Sequence, residues 1–401
     1  MGISHLKLKR QLKILAFPLA FGLLGSVHAG TAQNPVILGV AGQPIDASAT
    51  EQDFLYEIPA KAEGDDDGGG SAQSWAMLGR EDLSAKTGSD EFRAANCEAE
   101  RGAVFGWENV VDEIATQAAT RRVVIINESH ATSRHRETTR MLLHKLRPFG
   151  FTVFAAETFT NDKSNIPIVN HAALKWPSVR DGYYSREPVF GRLIRDAKGL
   201  GYRLAAYEEI YDPNAQTIDD ADKRIEAREA DQAQHLADLL KTMGSQERLL
   251  VHVGYSHAAE TPIKRRSGQD ALWMAARLKA LTGIDPLTIA QTECRTNKGK
   301  PFIASPLTDD RKGWFDYVIS HPVEKFVRHR PLWRRQRGDV EVKIPKELRP
   351  TNEPLVIEAF AEGEPFDAIP MDRIFVAEGE DVPLLLPPGR YNVRAVRTMK
   401  K

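Results

Sequence analysis

The sequence predicts an α/β protein: a mainly parallel sheet with helices on both faces, followed by a small C-terminal antiparallel β-domain. Two observations carry this. Between residues 105 and 295, short continuous apolar runs alternate with segments of helical periodicity, the pattern of strands buried on both faces with helical crossovers. After residue 336 only short strand-like runs remain, separated by turns rich in Gly, Pro and acidic residues. A chain of 401 residues, 42% hydrophobic and 27% charged, is globular in composition. Its formal net charge of −1 gives no reason to expect nucleic acid as a partner.

Residues 1–29 read as a secretory signal. Lys7, Lys9, Arg10 and Lys13 form a positive start, and Ile14 to Leu24 is an apolar stretch too short to span a bilayer. Cleavage is expected before Gly30, leaving no stable membrane span; the alternative is an uncleaved N-terminal anchor. Export places the protein in the periplasm or outside the cell, where Cys97 and Cys294 either pair or stay as two separate buried thiols. Residues 30–104 read as a polar N-terminal arm, broken by the acidic, flexible Gly64–Gly70 stretch.

The predicted catalytic domain covers 105–335. A helix over 107–119 leads into the Arg122–Ile126 strand, and a helix over 136–147 into the Phe151–Ala156 strand. A helix over 188–199 precedes the third strand, Tyr202–Tyr207. A long helix over 218–242 precedes the fourth, Leu249–Val253, and a helix over 270–281 precedes a fifth, Leu287–Gln291. The β-domain, an immunoglobulin-like sandwich by expectation, covers 336–401, with strands over 339–344, 354–361, 373–378, 382–386 and 391–396. The basic run Arg328–Arg337 reads either as a solvated linker between the domains or as a contact for an anionic surface.

In an open α/β sheet, ligands gather at the carboxyl ends of the strands. Here these ends read Asn127-Glu128-Ser129-His130, then Glu157, then Glu208-Glu209, then Gly254-Tyr255-Ser256-His257. Imidazole and carboxylate are both metal ligands and general acid–base groups. Two mechanisms follow. His130, His257 and Glu157 hold a divalent Mn, Zn or Co ion that activates water, or a His–Glu pair activates water without metal. Glu208 and Glu209 read as solvated loop residues. Ser256 lacks a nucleophile elbow, and neither a phosphate-binding loop nor His-Glu-x-x-His occurs.

The Asn127–His130 segment resembles the Gly-Glu-x-His signature of the TIKI-like superfamily, which includes TraB-type peptidases, erythromycin esterases and ChaN-like haem-uptake proteins. The likeness continues through Ala155–Phe159, the Arg228–Leu236 helix and Gly254–His257, in order, over about half the chain. It implies an active site of Glu128, His130, Glu157 and His257 with Arg228 from a helix, acting on an ester or amide bond of a small molecule or peptide. His135 stands where ChaN-like members have a His. With Tyr183 and Tyr184 it supports an alternative, haem or iron binding without turnover. A further alternative is an inactive interaction protein. Asn127 replaces the family's Gly, Gln232 its Met, and the ChaN-type lipid-anchor Cys is missing.

Overall fold

The structure is a computed structural model that describes residues 35–46, 55–59, 70–87, 94–161, 175–210, 218–264, 268–304 and 311–399. The expected signal segment and most of the Gly64–Gly70 break lie outside the described residues.

The fold is mixed α/β, with several sheets. The elements that build its main sheet are α1 (Trp107–Ala118), β1 (Val123–Glu128), α2 (Ser133–Leu146), β2 (Phe151–Ala156), α3 (Pro188–Gly199), β3 (Arg203–Ala205), α4 (Ala221–Thr242), β4 (Arg248–Gly254), α5 (Met274–Thr282), β5 (Leu287–Thr296), β6 (Phe302–Ala304) and β7 (Tyr317–Pro322). The strands lie in the order β6-β7-β5-β1-β4-β2-β3, and the two-residue strand Ala95–Asn96 also pairs with β5. The pairings from β7 to β3 run parallel, whereas β6 is antiparallel to β7, so the sheet is mixed.

All six residues of β1 are buried, because β5 and β4 flank it and helices cover both faces. Val124 and Ile126 point into a core shared with α1, α2 and α3. Val123 and Ile125 point into the other, shared with α4 and α5. This alternation is what an apolar run buried on both sides requires. Each fully buried Val, Leu, Ile or Phe contributes about 1.5–3 kcal/mol. Two helix starts are fixed by their own side chains. Glu187 caps α3 ahead of Pro188, accepting from the Val189 and Phe190 amides, and Asp220 caps α4, accepting from those of Asp222 and Lys223.

The C-terminal region holds a four-stranded sheet in the order Val36–Val40, Gly389–Arg397, Leu355–Ala361, Asp372–Val376, with a two-stranded ribbon of Val340–Val342 and Leu384–Leu386. Ile357, Ile374, Leu384 and Val393 share its core.

Two expectations are corrected here. The described parts of 30–104 are not a loose arm: Val36–Val40 is a sheet strand, and Tyr56 is buried with its hydroxyl 3.2 Å from both Glu358 carboxylate oxygens. Apolar and polar groups in these pieces find partners far along the chain, which composition alone does not reveal. Nor is the Arg328–Arg337 run a solvated linker. Arg330 and Arg334 are 0% and 2% exposed. Both pair with the buried Asp372, Arg330 at 2.6 and 2.8 Å and Arg334 at 2.6 Å. Asp372 also accepts from the Leu385 amide at 2.7 Å.

Cys97 and Cys294 form a disulfide with Cα atoms 5.5 Å apart, joining the Ala95–Asn96 segment to β5. Among the described residues no helix is long and apolar enough to cross a membrane.

Removing one partner of a buried ion cluster leaves uncompensated charge. The Asp372→Asn change is therefore expected to cost about 3–5 kcal/mol, read as a lower urea midpoint. An unchanged midpoint would show that Arg330 and Arg334 are satisfied without it.

Candidate functional site

Glu128 ends β1 and is 1% exposed. A carboxylate so placed survives only with partners. Arg136, one turn into α2, supplies them: Nε donates to Glu128 Oε2 at 2.7 Å and Nη2 to Oε1 at 3.0 Å. The same Nη2 donates to the His130 carbonyl at 3.0 Å, and Nη1 reaches Glu187 Oε2 at 3.0 Å. His252, in β4, lies against the same carboxylate, its Nε2 2.9 Å from Glu128 Oε2. Burial pushes the Glu128 carboxyl up, but Arg136 and then His252 outweigh it and hold the group well below its usual range.

Because Glu128 is ionised, it can only accept, so the His130 nitrogen facing it must carry the proton. That nitrogen is Nδ1, 3.0 Å from Glu128 Oε1. With the ring neutral, the free lone pair lies on Nε2. Tyr184 stacks on the ring, centroids 3.7 Å apart, and Tyr255 meets it edge-on at 5.0 Å. Gly254 is required here by close approach: a Cβ on it would lie 2.7 Å from His130 Cε1 and 2.8 Å from Nε2. The next residue, Tyr255, takes a left-handed backbone, φ 42°. Its carbonyl accepts from Asn127 Nδ2 at 2.7 Å. The His130 side chain retains 12% exposure, so water can reach its edge.

A second charged cluster faces this dyad. Glu157, just past β2, accepts the Gly254 amide at 2.6 Å on Oε2 and Arg228 Nη2 on Oε1. Arg228 comes from α4; its Nε donates to Glu208 Oε1 at 3.0 Å, Nη2 pairs with Glu208 Oε2, and Nη1 lies 3.3 Å from His257 Nε2. His257 Nδ1 touches the buried Glu229 at 2.5 Å, and its Nε2 is 3.7 Å from Glu157. Burial opposes ionisation of both Glu157 and His257. The surrounding charges win: His257, His130 and Arg228 bring Glu157 down to about 2, and Glu157 with Glu229 raises His257 above the ordinary histidine value.

The structure thus brings together Glu128, His130, Glu157, Arg228 and His257. It adds Glu208, expected in a solvated loop, because Arg228 and Gln232 bind its carboxylate. Tyr184 joins the site, and Tyr183 sits against Tyr184 at 5.4 Å. His135 lies elsewhere. It faces His321 at 4.9 Å, and its Nδ1 accepts the Ser129 amide at 3.0 Å. Burial, followed by nearby Arg134, pushes its pKa well below the usual value. Sequence reading missed Arg136, His252 and Glu229. Only a weak signal marked them: a histidine inside an apolar strand, and a charge at a helix position that turns inward.

Among the described residues no three His, Cys, Asp or Glu side chains form a group that would hold a metal ion. Of the proposed ligands, both Glu157 oxygens already accept hydrogen bonds, and the Arg228 guanidinium stands beside both Glu157 and His257.

No protein family and no curated protein matches the chain. Solved structures with a partial likeness include toxins and effectors. The type III effector HopBA1 is 14% identical over 57% of this chain and 97% of its own, with a TM-score of 0.34. The RRSP effector domain of a MARTX toxin from Vibrio vulnificus is 16% identical over 51% of this chain and 39% of its own, TM-score 0.35. A structure described as bacterial protein toxins is 15% identical over 46% and 37%, TM-score 0.33. The chain spans well under half the length of the last two. Likeness at this level assigns no activity.

The Glu157–His257 pair is charged only between the two pKa values. The stability it contributes is lost as falling pH protonates Glu157 near 2, and as rising pH neutralises His257 above 6.5. An NMR titration of the His257 ring is expected to give a midpoint above 6.5 that falls in Glu157→Gln. Equal midpoints in the two proteins would mean that Glu157 does not hold the proton on His257.

Proposed function

We propose that the protein is an exported, TIKI-like hydrolase of an ester or amide bond, built on the Glu128–His130 dyad and needing no resident metal. One observation carries the reading: an imidazole whose Nδ1 is tied to an ionised, buried carboxylate, with Nε2 at the carboxyl ends of parallel strands beside the cluster that holds the Arg228 guanidinium. That is the pairing of an oriented base with charge stabilisation that acyl transfer to water requires.

In this mechanism a water molecule loses a proton to His130 Nε2 as its oxygen bonds to the substrate carbonyl carbon. Glu128 stabilises the imidazolium that results. The negative charge that forms on the carbonyl oxygen faces Arg228, with His257 beside it. His130 then returns the proton to the leaving alcohol or amine as the carbon–heteroatom bond breaks. Tyr184 and Gly254 keep the ring in register throughout.

The donor set argues against a divalent ion at His130, His257 and Glu157. Arg228 brings positive charge to where the ion's would lie, and both Glu157 oxygens already accept hydrogen bonds. The haem alternative loses support because His135 packs with His321 while Tyr184 packs with His130. Export is supported by the Cys97–Cys294 disulfide, since such bonds persist in oxidising compartments.

Turnover of a panel of ester and peptide substrates by the mature protein is the test. His130→Ala and Glu128→Gln are each expected to lower kcat/KM by about 10²–10⁴-fold. Arg228→Met is expected to lower it by about 10²–10³-fold. Chelation by EDTA leaves the rate unchanged. Activity that survives His130→Ala, or vanishes with EDTA and returns with Mn or Zn, would refute the metal-free dyad.

A further inference from the structure

A cavity of about 440 Å³ lies on the far side of the Glu81–Lys86 helix from the candidate site. The helix divides its faces by spacing. Glu81 and Ser84 turn to the loop after β1, bonding Ser133 Oγ at 2.5 Å and the Ala131 carbonyl at 3.3 Å. Asp82, Ala85 and Lys86 turn to the cavity. The opposite wall is the hairpin Phe326–Val327 with Arg330–Pro331, and the chain leading into it from β7.

The lining has two characters. Ala85, Val323 and Phe326 supply apolar surface, and Val323 is 38% exposed. Lys86, Arg295, Arg328 and His329 supply basic groups, of which Arg328 is paired with Glu341 and Asp381 and His329 with Asp82. The two acids, Asp82 and Glu324, are already engaged: Asp82 by Arg80 at 2.9 and 3.0 Å and by His329 at 2.9 Å, Glu324 by Arg134 at 2.7 Å. Lys86 is exposed, with no acidic partner among the described residues.

The hairpin turn adds an independent observation. Arg328 and His329 are its two central residues, and both take left-handed backbones, φ 50° and 64°. Such a turn favours Asn-Gly, and bulky residues there are strained. Strain of this kind persists where surrounding contacts over-determine it, and it gathers at ligand clamps. Here Glu341 and Asp381 hold Arg328 at 2.8 and 2.6 Å, and Asp82 holds His329. A turn made less comfortable by its residue types sets two basic side chains against an apolar hollow.

We propose that this cavity binds a small amphiphilic organic anion, with a carboxylate or sulfonate at the basic rim and an aliphatic or aromatic body on Phe326 and Val323. Its volume is that of an ordinary small-ligand site. The site is separate from the His130 chemistry and does not depend on it.

The probe is 1-anilinonaphthalene-8-sulfonate, titrated by fluorescence into the intact mature protein. One saturable site is expected, displaced by octanoate and weakened by high salt. Lys86→Glu, on an exposed side chain that leaves the fold alone, is expected to weaken it about tenfold. Phe326→Ser is expected to remove it, and His130→Ala to leave it unchanged. Non-saturable binding, an affinity unaltered by Lys86→Glu, or loss in His130→Ala would each overturn the proposal.

Discussion

Arg136 sits where the tip of β1, the turn that follows it and the start of α3 converge, and it bonds to all three. Its guanidinium neutralises Glu128, donates to the His130 carbonyl in the turn, and pairs with Glu187. Glu187 is also the residue that caps α3. One buried cation therefore fixes a strand end, a loop and a helix start together. Such a group is expensive to bury and worse to leave half-paired, so its neighbours are over-determined rather than optional. The orientation of His130 is a by-product of that requirement.

The second cluster solves the inverse problem. Around Arg228 and His257 the carboxylates outnumber the cations, with Glu157, Glu208 and Glu229 all in contact. The excess of negative charge is what raises the pKa of His257 despite its burial. The two clusters meet at Gly254, whose amide binds Glu157 and whose missing side chain makes room for His130. A single chain position thus joins the base to the charges that face it.

Much of this was legible in the sequence. The apolar runs at 122–126, 151–156 and 249–253 placed three central strands, and polar residues at their ends marked the site. Strand 3 came out shorter, Arg203–Ala205, and strand 5 longer, reaching Thr296 through polar residues that no apolar pattern marks. Phe302–Ala304 escapes the sequence pattern because it has only three residues, and Tyr317–Pro322 because Ser320 and His321 break its apolar run. The polar segments before residue 100 and the basic run at 328–337 were misjudged for a common reason. Both segments are rich in charge, yet Arg80 and Asp82 are buried against each other, and Arg330 and Arg334 against Asp372. Composition records charge but not the partner that makes its burial tolerable.

The strand Val36–Val40 lies parallel to Gly389–Arg397, so the first described strand is completed by the last. Loop closure over nearly the whole chain has to precede that pairing, which makes it among the slowest contacts to form. During synthesis the early strand emerges with its edge unpaired and waits for the rest of the protein. Its isolated sequence, Val-Ile-Leu-Gly-Val, is apolar and carries no charge, the composition that invites pairing with other chains. The interval before Gly389–Arg397 arrives is therefore the period in which this molecule is most exposed to aggregation, and the one in which a holding chaperone would do it the most good.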